Sequence, residues 1–185
     1  MELWLGSRPR LLVVGCALAV VALAALVALV RDLSHGSGRA ASSTALPVFS
    51  RPIRDREAHA SVRAAPGWSA SHRDRSLALR SPDRLAVVTV AAPTPAGRVG
   101  ALIPDATAAL AARWPGAHVG TALARQLAGR PAEAVPVFAD RRRALVIAVR
   151  GRRLAYLVEV LTVAGAPTRR FVEAQLTLAT LRLDD

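Results

Sequence analysis

The sequence predicts an α+β fold: an N-terminal transmembrane helix, then an α/β/α sandwich. Its central antiparallel sheet is expected to have about six to seven strands, with one main helix on each side. Three observations predict this. Residues 11–30 are an unbroken apolar run of 20 residues without a charge. Beyond residue 66, short segments rich in Val, Leu and Ala alternate with Gly, Pro and Asp turns, the mark of strands joined by hairpins. In only two stretches, 96–114 and 169–181, does the apolar spacing lengthen to the helical 3.6.

The apolar run holds six Leu, six Val, six Ala, Gly15 and Cys16. At ~1.5 Å per residue it spans about 30 Å, the thickness of a bilayer core. A helix apolar on all sides needs burial on all sides, and the remaining chain is too small to supply that. Val13-Val14-Gly15-Cys16 fits the short pattern of a lipobox, with Cys16 as the lipidated residue. Only Leu11 to Val14 precede it as an apolar stretch, and the run continues past the cysteine to Val30, whereas a signal peptide needs about 7–15 apolar residues before its cleavage site. No clear small-x-small site follows Val30, so an uncleaved anchor is expected. Arg8 and Arg10 flank it on one side and Arg31 on the other. The tight Arg8-Pro9-Arg10 cluster tips the orientation toward an N-terminus inside. Residues 1–10 then form a short cytoplasmic segment, and the chain is a single-pass protein of the cell membrane with an extracytoplasmic C-terminal domain.

Residues 31–65 read as a flexible linker, with the stretch SHGSGRAASST, Pro47, Pro52 and no sustained apolar period. Val48, Phe49 and Ile53 are read as incidental apolar residues. Residues 66–185 form the domain. Gly67-Trp68-Ser69 opens a short strand, 77–80 is a second, and 84–92 a third that ends at Pro93 and Pro95. A helix follows over 96–114, with Val99, Leu102, Ile103, Ala106, Leu110 and Trp114 on one face and an irregularity at Pro104. Strands are expected at 118–127, 130–138, 144–149 and 154–163. The third of these, ALVIAV at 144–149, is apolar on both faces and therefore central. Short turns between these four strands require antiparallel pairing. Thr168 is a fitting N-cap for a last helix over 169–181, whose inner stripe is read as Phe171, Val172, Gln175, Leu178 and Ala179.

The net charge of +12 resembles a nucleic-acid signal. All 25 basic residues are Arg, however, and Lys and Asn are absent. Residue types with AT-rich codons are missing together, which points to a GC-rich genome of the actinobacterial kind and to mutational bias behind the Arg excess. Arg141, Arg142 and Arg143 lie at one end of a central strand; Arg150, Arg152 and Arg153 lie at the other, ~20 Å away. Two separated clusters without interleaved aromatics do not make a nucleic-acid groove, so nucleic acid is not an expected partner. These six arginines are candidate contacts to anionic surfaces, lipid headgroups included.

The single cysteine excludes an intrachain disulfide. His35, His59, His72 and His118 show no metal-ligand spacing, and no Walker, G-x-S-x-G or G-x-G-x-x-G motif occurs. No catalytic, metal-binding or cofactor-binding residue is assigned, and no cofactor is expected. His72 with Asp74, or Glu133 with Glu159, could be paired on paper as acid and base, but isolated polar residues on solvent-facing strand positions explain them as well. Trp68 and Trp114 read as core or edge packing.

Residues 66–183 resemble the PsbP-like family, which includes extrinsic proteins of photosystem II, Ran-binding Mog-type proteins and LpqN-type lipoproteins of actinobacteria. The resemblance is carried by Pro66-Gly67-Trp68, by LRSPD at 79–83, by Arg113-Trp114-Pro115-Gly116 and by Gly129-Arg130-Pro131-Ala132. RLAYLVEV at 153–160 and Ala179-Thr180-Leu181-Arg182 complete it. It implies a domain that binds proteins or lipids and is not an enzyme, and it supplies no catalytic residue. The chain departs from the lipoprotein members in carrying an apolar anchor in place of a lipidated cysteine. The expected function is a membrane-anchored accessory module of the envelope. It would engage the bilayer through residues 11–30 and an envelope protein through its domain. Two alternatives stand: a carrier of lipid or a small apolar ligand with a pocket between sheet and helix, and a hydrolase with an unrecognised site.

Overall fold

The computed structural model describes residues 49–184. The expected anchor at 11–30, its flanking Arg8, Arg10 and Arg31, and most of the linker lie outside these residues. Among the described residues no helix is long and apolar enough to cross a membrane.

Most of the strands belong to one antiparallel sheet. They are β3 (Ser69–Arg73), β4 (Ser76–Arg80), β5 (Ala86–Ala91), β6 (Thr94–Pro95), β7 (His118–Val119), β8 (Leu123–Leu127), β9 (Arg130–Ala139), β10 (Arg142–Arg150) and β11 (Leu154–Val163). The order across the sheet is β3-β4-β5-β11-β10-β9-β7, with β6 on β11 and β8 on β9. The mixed α+β architecture with an antiparallel sheet and two helices is as expected; the described sheet has nine strands rather than six or seven.

Local chemistry sets the hairpins. Asp74 and Arg75 both have positive φ, as do Ala128 and Gly129. Two consecutive positive-φ residues make the turn whose twist matches that of the flanking strands. Gly129 adopts this conformation at no steric cost.

Helix α1 (Val99–Arg113) follows a 3-10 turn at Ala96–Arg98 and covers one face of the sheet. Its Ala106 and Leu110, with the C-capping Trp114, pack on Val137, Ala144 and Val146. The helix runs through Pro104 without a break. Helix α2 (Thr168–Ala179) covers the other face. There Ala174 and Leu178 join Leu77, Leu79, Val88, Val90, Ile147, Val149, Tyr156 and Val158 in the larger core.

Three expectations are corrected. Residues 53–65 are not linker: β1 (Ile53–Asp55) and β2 (Ala60–Val62) pair with β12 (Arg182–Leu183) in a second, three-stranded sheet. Ala58, Ala60, Val62, Ala64 and Ala65 are buried, and Phe49 and Ile53 pack against the core. Small side chains close to the backbone can bury a segment whose hydropathy alone does not stand out. The strand expected at 118–127 is two short strands, β7 and β8, parted by Gly120. A Cβ at Gly120 would come within 2.8 Å of the Pro136 ring. Finally, Thr168 does not cap α2; Pro167 holds the N-cap position and no side chain bonds there.

Candidate functional site

The helical stripe expected to face inward from 169–181 is turned outward in part. The buried residues of α2 are Arg170, Ala174, Thr177 and Leu178, while Phe171 and Val172 are exposed. The cause is a polar network around Arg170. Its Nε donates to Asp83 Oδ2 at 2.7 Å and its Nη1 to Glu173 Oε2 at 2.6 Å. Trp68 Nε1 donates to the same Glu173 oxygen at 3.0 Å. A guanidinium satisfied by two carboxylates tolerates burial, and with it buried the helix cannot also bury Phe171, the next residue round.

The network holds its charges firmly. The Ser81 hydroxyl first, with the Arg170 guanidinium and the Leu85 amide, overcomes partial burial and lowers the Asp83 pKa from 3.8 to about 2. The Glu173 carboxyl is raised by burial, but the bonds from Arg170 and Trp68 bring it below its ordinary value. Arg170 itself is raised, by Glu173 and then by Asp83.

The outward turn of α2 leaves a groove of about 540 Å³ between its first turn and strands β9, β10 and β11. Pro136, Leu145 and Val160 lie in one register row and form its floor. Phe138, Arg143 and Thr162 form the next row toward the rim. Phe171 and the loop at 163–167 close the other side. Phe138 is 45% exposed and Phe171 50%, so two aromatic faces stand open to solvent across an apolar floor. The lining contains no carboxylate, histidine or cysteine. Its chemistry is that of an apolar socket with one guanidinium at its edge, suited to holding an apolar group beside an anion and without a proton donor or acceptor for acid–base catalysis.

The six arginines expected to contact anionic surfaces are divided between the two faces and the two ends of the sheet. Arg142 lies over the Trp114 ring, 5.8 Å from its centroid, on the α1 side. Arg143 points the other way and lines the groove. Arg150 ends β10 at the far end, with Arg152 and Arg153 in the next turn. Of the predicted set, Arg143 alone lines the groove.

The paper pairings also separate. His72 Nδ1 lies 2.6 Å from Asp55 Oδ2, not beside Asp74, which is ion-paired with Arg73. Asp55 is buried and accepts the amides of Glu57 and Ala58. Burial raises its pKa, but these bonds and His72 outweigh burial and lower it. The pair pins the β1–β2 turn to β3. Ser76, the neighbouring hydroxyl, donates to the Arg73 carbonyl at 2.6 Å instead of to the histidine. Glu133 and Glu159 share the α1 face but sit on β9 and β11, with β10 between them and two residues out of register, about 12 Å apart. Burial raises the Glu159 pKa, opposed by Arg113. Among the described residues no group of three or more His, Cys, Asp or Glu is placed to hold a metal ion.

Comparison with family models and with curated protein sequences finds no match. Solved structures do resemble the chain. The solution structure of cyanobacterial PsbP (CyanoP) from Synechocystis matches with a TM-score of 0.53 and 12% identity, covering 80% of this chain and 98% of that one. A crystal structure of a protein from Bacteroides thetaiotaomicron matches with a TM-score of 0.50 and 10% identity, over 74% of this chain and 49% of that one. Identities this low speak for the fold alone, and that fold is PsbP-like.

Proposed function

We propose that the chain is a non-catalytic binding module of the bacterial cell envelope, held in the membrane by residues 11–30 with its C-terminal domain outside the cytoplasm. It works through protein contacts. The observation that supports this reading best is the open groove with Phe138 and Phe171 exposed across it. Exposed aromatics around an apolar socket are the usual anchors of protein interfaces, where a few such residues carry most of the affinity. Full burial of one phenylalanine contributes about 1.5–3 kcal/mol. Arg143 at the rim favours a partner with an acidic residue next to its apolar anchor. The groove is also large enough for a small apolar ligand, which supports ligand carriage as the second reading.

The test is a photoreactive phenylalanine analogue placed at position 171 of the full chain in intact cells, with a control at Ala112, exposed on α1. A discrete protein adduct at 171 that is missing at 112 is the expected result. Equal or absent adducts at both positions would reject the protein-binding reading. A stoichiometric apolar molecule in the organic extract of the purified chain, without an adduct, would replace it with ligand carriage.

A further inference from the structure

The second sheet gathers arginines that are far apart in sequence. Arg54 on β1, Ser61 on β2 and Arg182 on β12 form one register row on its outer face. Two strand spacings put the backbones of Arg54 and Arg182 about 10 Å apart. Arg63, two residues beyond Ser61, follows on the same face, and its backbone is fixed to the end of α2. The Arg63 amide donates to Thr180 Oγ1 at 2.9 Å, and that hydroxyl reaches the Arg63 carbonyl at 3.1 Å. Arg51 completes the group at the mouth of an open cleft of about 1170 Å³ whose lining contains all four guanidinium-bearing residues and no carboxylate.

Two arginines elsewhere in the domain are matched by acids. Arg170 has Asp83 and Glu173, and Arg73 has Asp74. Arg51, Arg54, Arg63 and Arg182 are all exposed, and none is ion-paired with a described acid. Four like charges held together on a short sheet repel one another, and an anion relieves that repulsion. Guanidinium groups suit phosphate oxygens in particular, through paired N–H donors. Phe49, Pro52 and Leu181 add apolar surface to the same cleft.

The location identifies the source of the phosphate. Phe49 and Arg51, where the described chain begins, both line the cleft. Only residues 31–48 separate Phe49 from the apolar run, and on the linker reading of that stretch 18 residues would span ~23 Å. We infer that this cleft docks the domain onto the headgroups of anionic phospholipids in the membrane that anchors it. The inference rests on the anchor reading of residues 11–30. It gives the domain a membrane-facing side, on which each arginine near an anionic surface strengthens attachment.

The experiment uses the full chain reconstituted in nanodiscs of phosphatidylcholine, sedimented with vesicles of either phosphatidylcholine or phosphatidylglycerol. Failure of the chain to enter neutral nanodiscs would reject the anchor reading alone, and the same sedimentation then runs on the free protein. Expected is retention on phosphatidylglycerol vesicles only, weakened when salt rises from about 0.1 M to about 1 M, as the Debye length shrinks from about 10 to about 3 Å. Replacing Arg51, Arg54, Arg63 and Arg182 by Gln should lower retention at least tenfold. Replacing Arg80, Arg84, Arg98 and Arg141 by Gln removes the same charge from exposed positions outside the cleft and should lower it far less. The double variant Arg54→Gln/Arg182→Gln, which alters only exposed side chains, should show an intermediate loss if the fourfold variant does not fold. Equal loss from both fourfold variants, or no preference for phosphatidylglycerol, overturns the inference. Displacement of the vesicles by inorganic phosphate at equal phosphate concentration overturns it too, and assigns the cleft to a soluble phosphate.

Discussion

Arg170 is the buried charge that ties three parts of this domain together. It is 7% exposed, and it draws together the 81–85 turn through Asp83, the start of β3 through Glu173 and Trp68, and the first turn of α2. A buried guanidinium stays favourable only while its partners remain ionised and in place. The Asp83 pKa of about 2, against 3.8 without the fold, makes that dependence visible in pH. A carboxyl whose folded pKa is depressed adds stability above its unfolded pKa and loses it as pH falls through the folded value. The Asp83 contribution is therefore complete above pH ~4 and lost toward pH ~2. Asp83→Asn should lower the melting temperature at pH 7 and shrink the gap from the parent chain as pH falls over that window. A gap constant from pH 7 to pH 2 would show that the ion pair adds nothing.

At the scale of the elements, the rotation of α2 separates its apolar residues into two classes. Leu178 is 2% exposed in the core and Phe171 is 50% exposed at the groove. Leu178→Ala should cost about 3 kcal/mol, from lost burial and a cavity. Phe171→Ala should change stability by less than about 0.5 kcal/mol. Chemical denaturation of the two variants checks this directly, and similar losses would mean that Phe171 faces inward after all. The sequence makes the opposite assignment because an apolar stripe is read by counting apolar residues, and Arg170 counts against burial. Glu173 three residues on was the available hint: a cation and an anion one turn apart can neutralise each other on an inner face. The long strands, by contrast, are legible, since β9, β10 and β11 combine β-branched runs with unmistakable turns. β1 and β2 are not, because Ala58, Ala60, Ala64 and Ala65 bury themselves by smallness and leave no periodic signal.

At the scale of the whole molecule, the domain presents two surfaces of opposite chemistry. One is the apolar groove at the first turn of α2; the other is the arginine-lined cleft beside Thr180, just past its end. A helix of 12 residues at ~1.5 Å per residue holds them about 18 Å apart. On the reading proposed above, one surface rests on headgroups while the other engages a protein. Neither was legible beforehand. The groove depends on a helix rotation, and the cleft depends on strand pairing between residues 54, 61 and 182, which no local window of sequence contains. The arginine runs that do stand out in sequence, 141–143 and 150–153, are divided between faces and ends of the sheet.

The account depends most on a domain held at the membrane and facing outward. The direct measurement is protease treatment of intact spheroplasts, followed by fractionation and detection of a tag placed after Asp185. The account predicts a chain found wholly in the membrane fraction, with its tag removed by external protease before lysis. A tag protected until the cells are broken, or a full-length chain free in the soluble fraction, would contradict it.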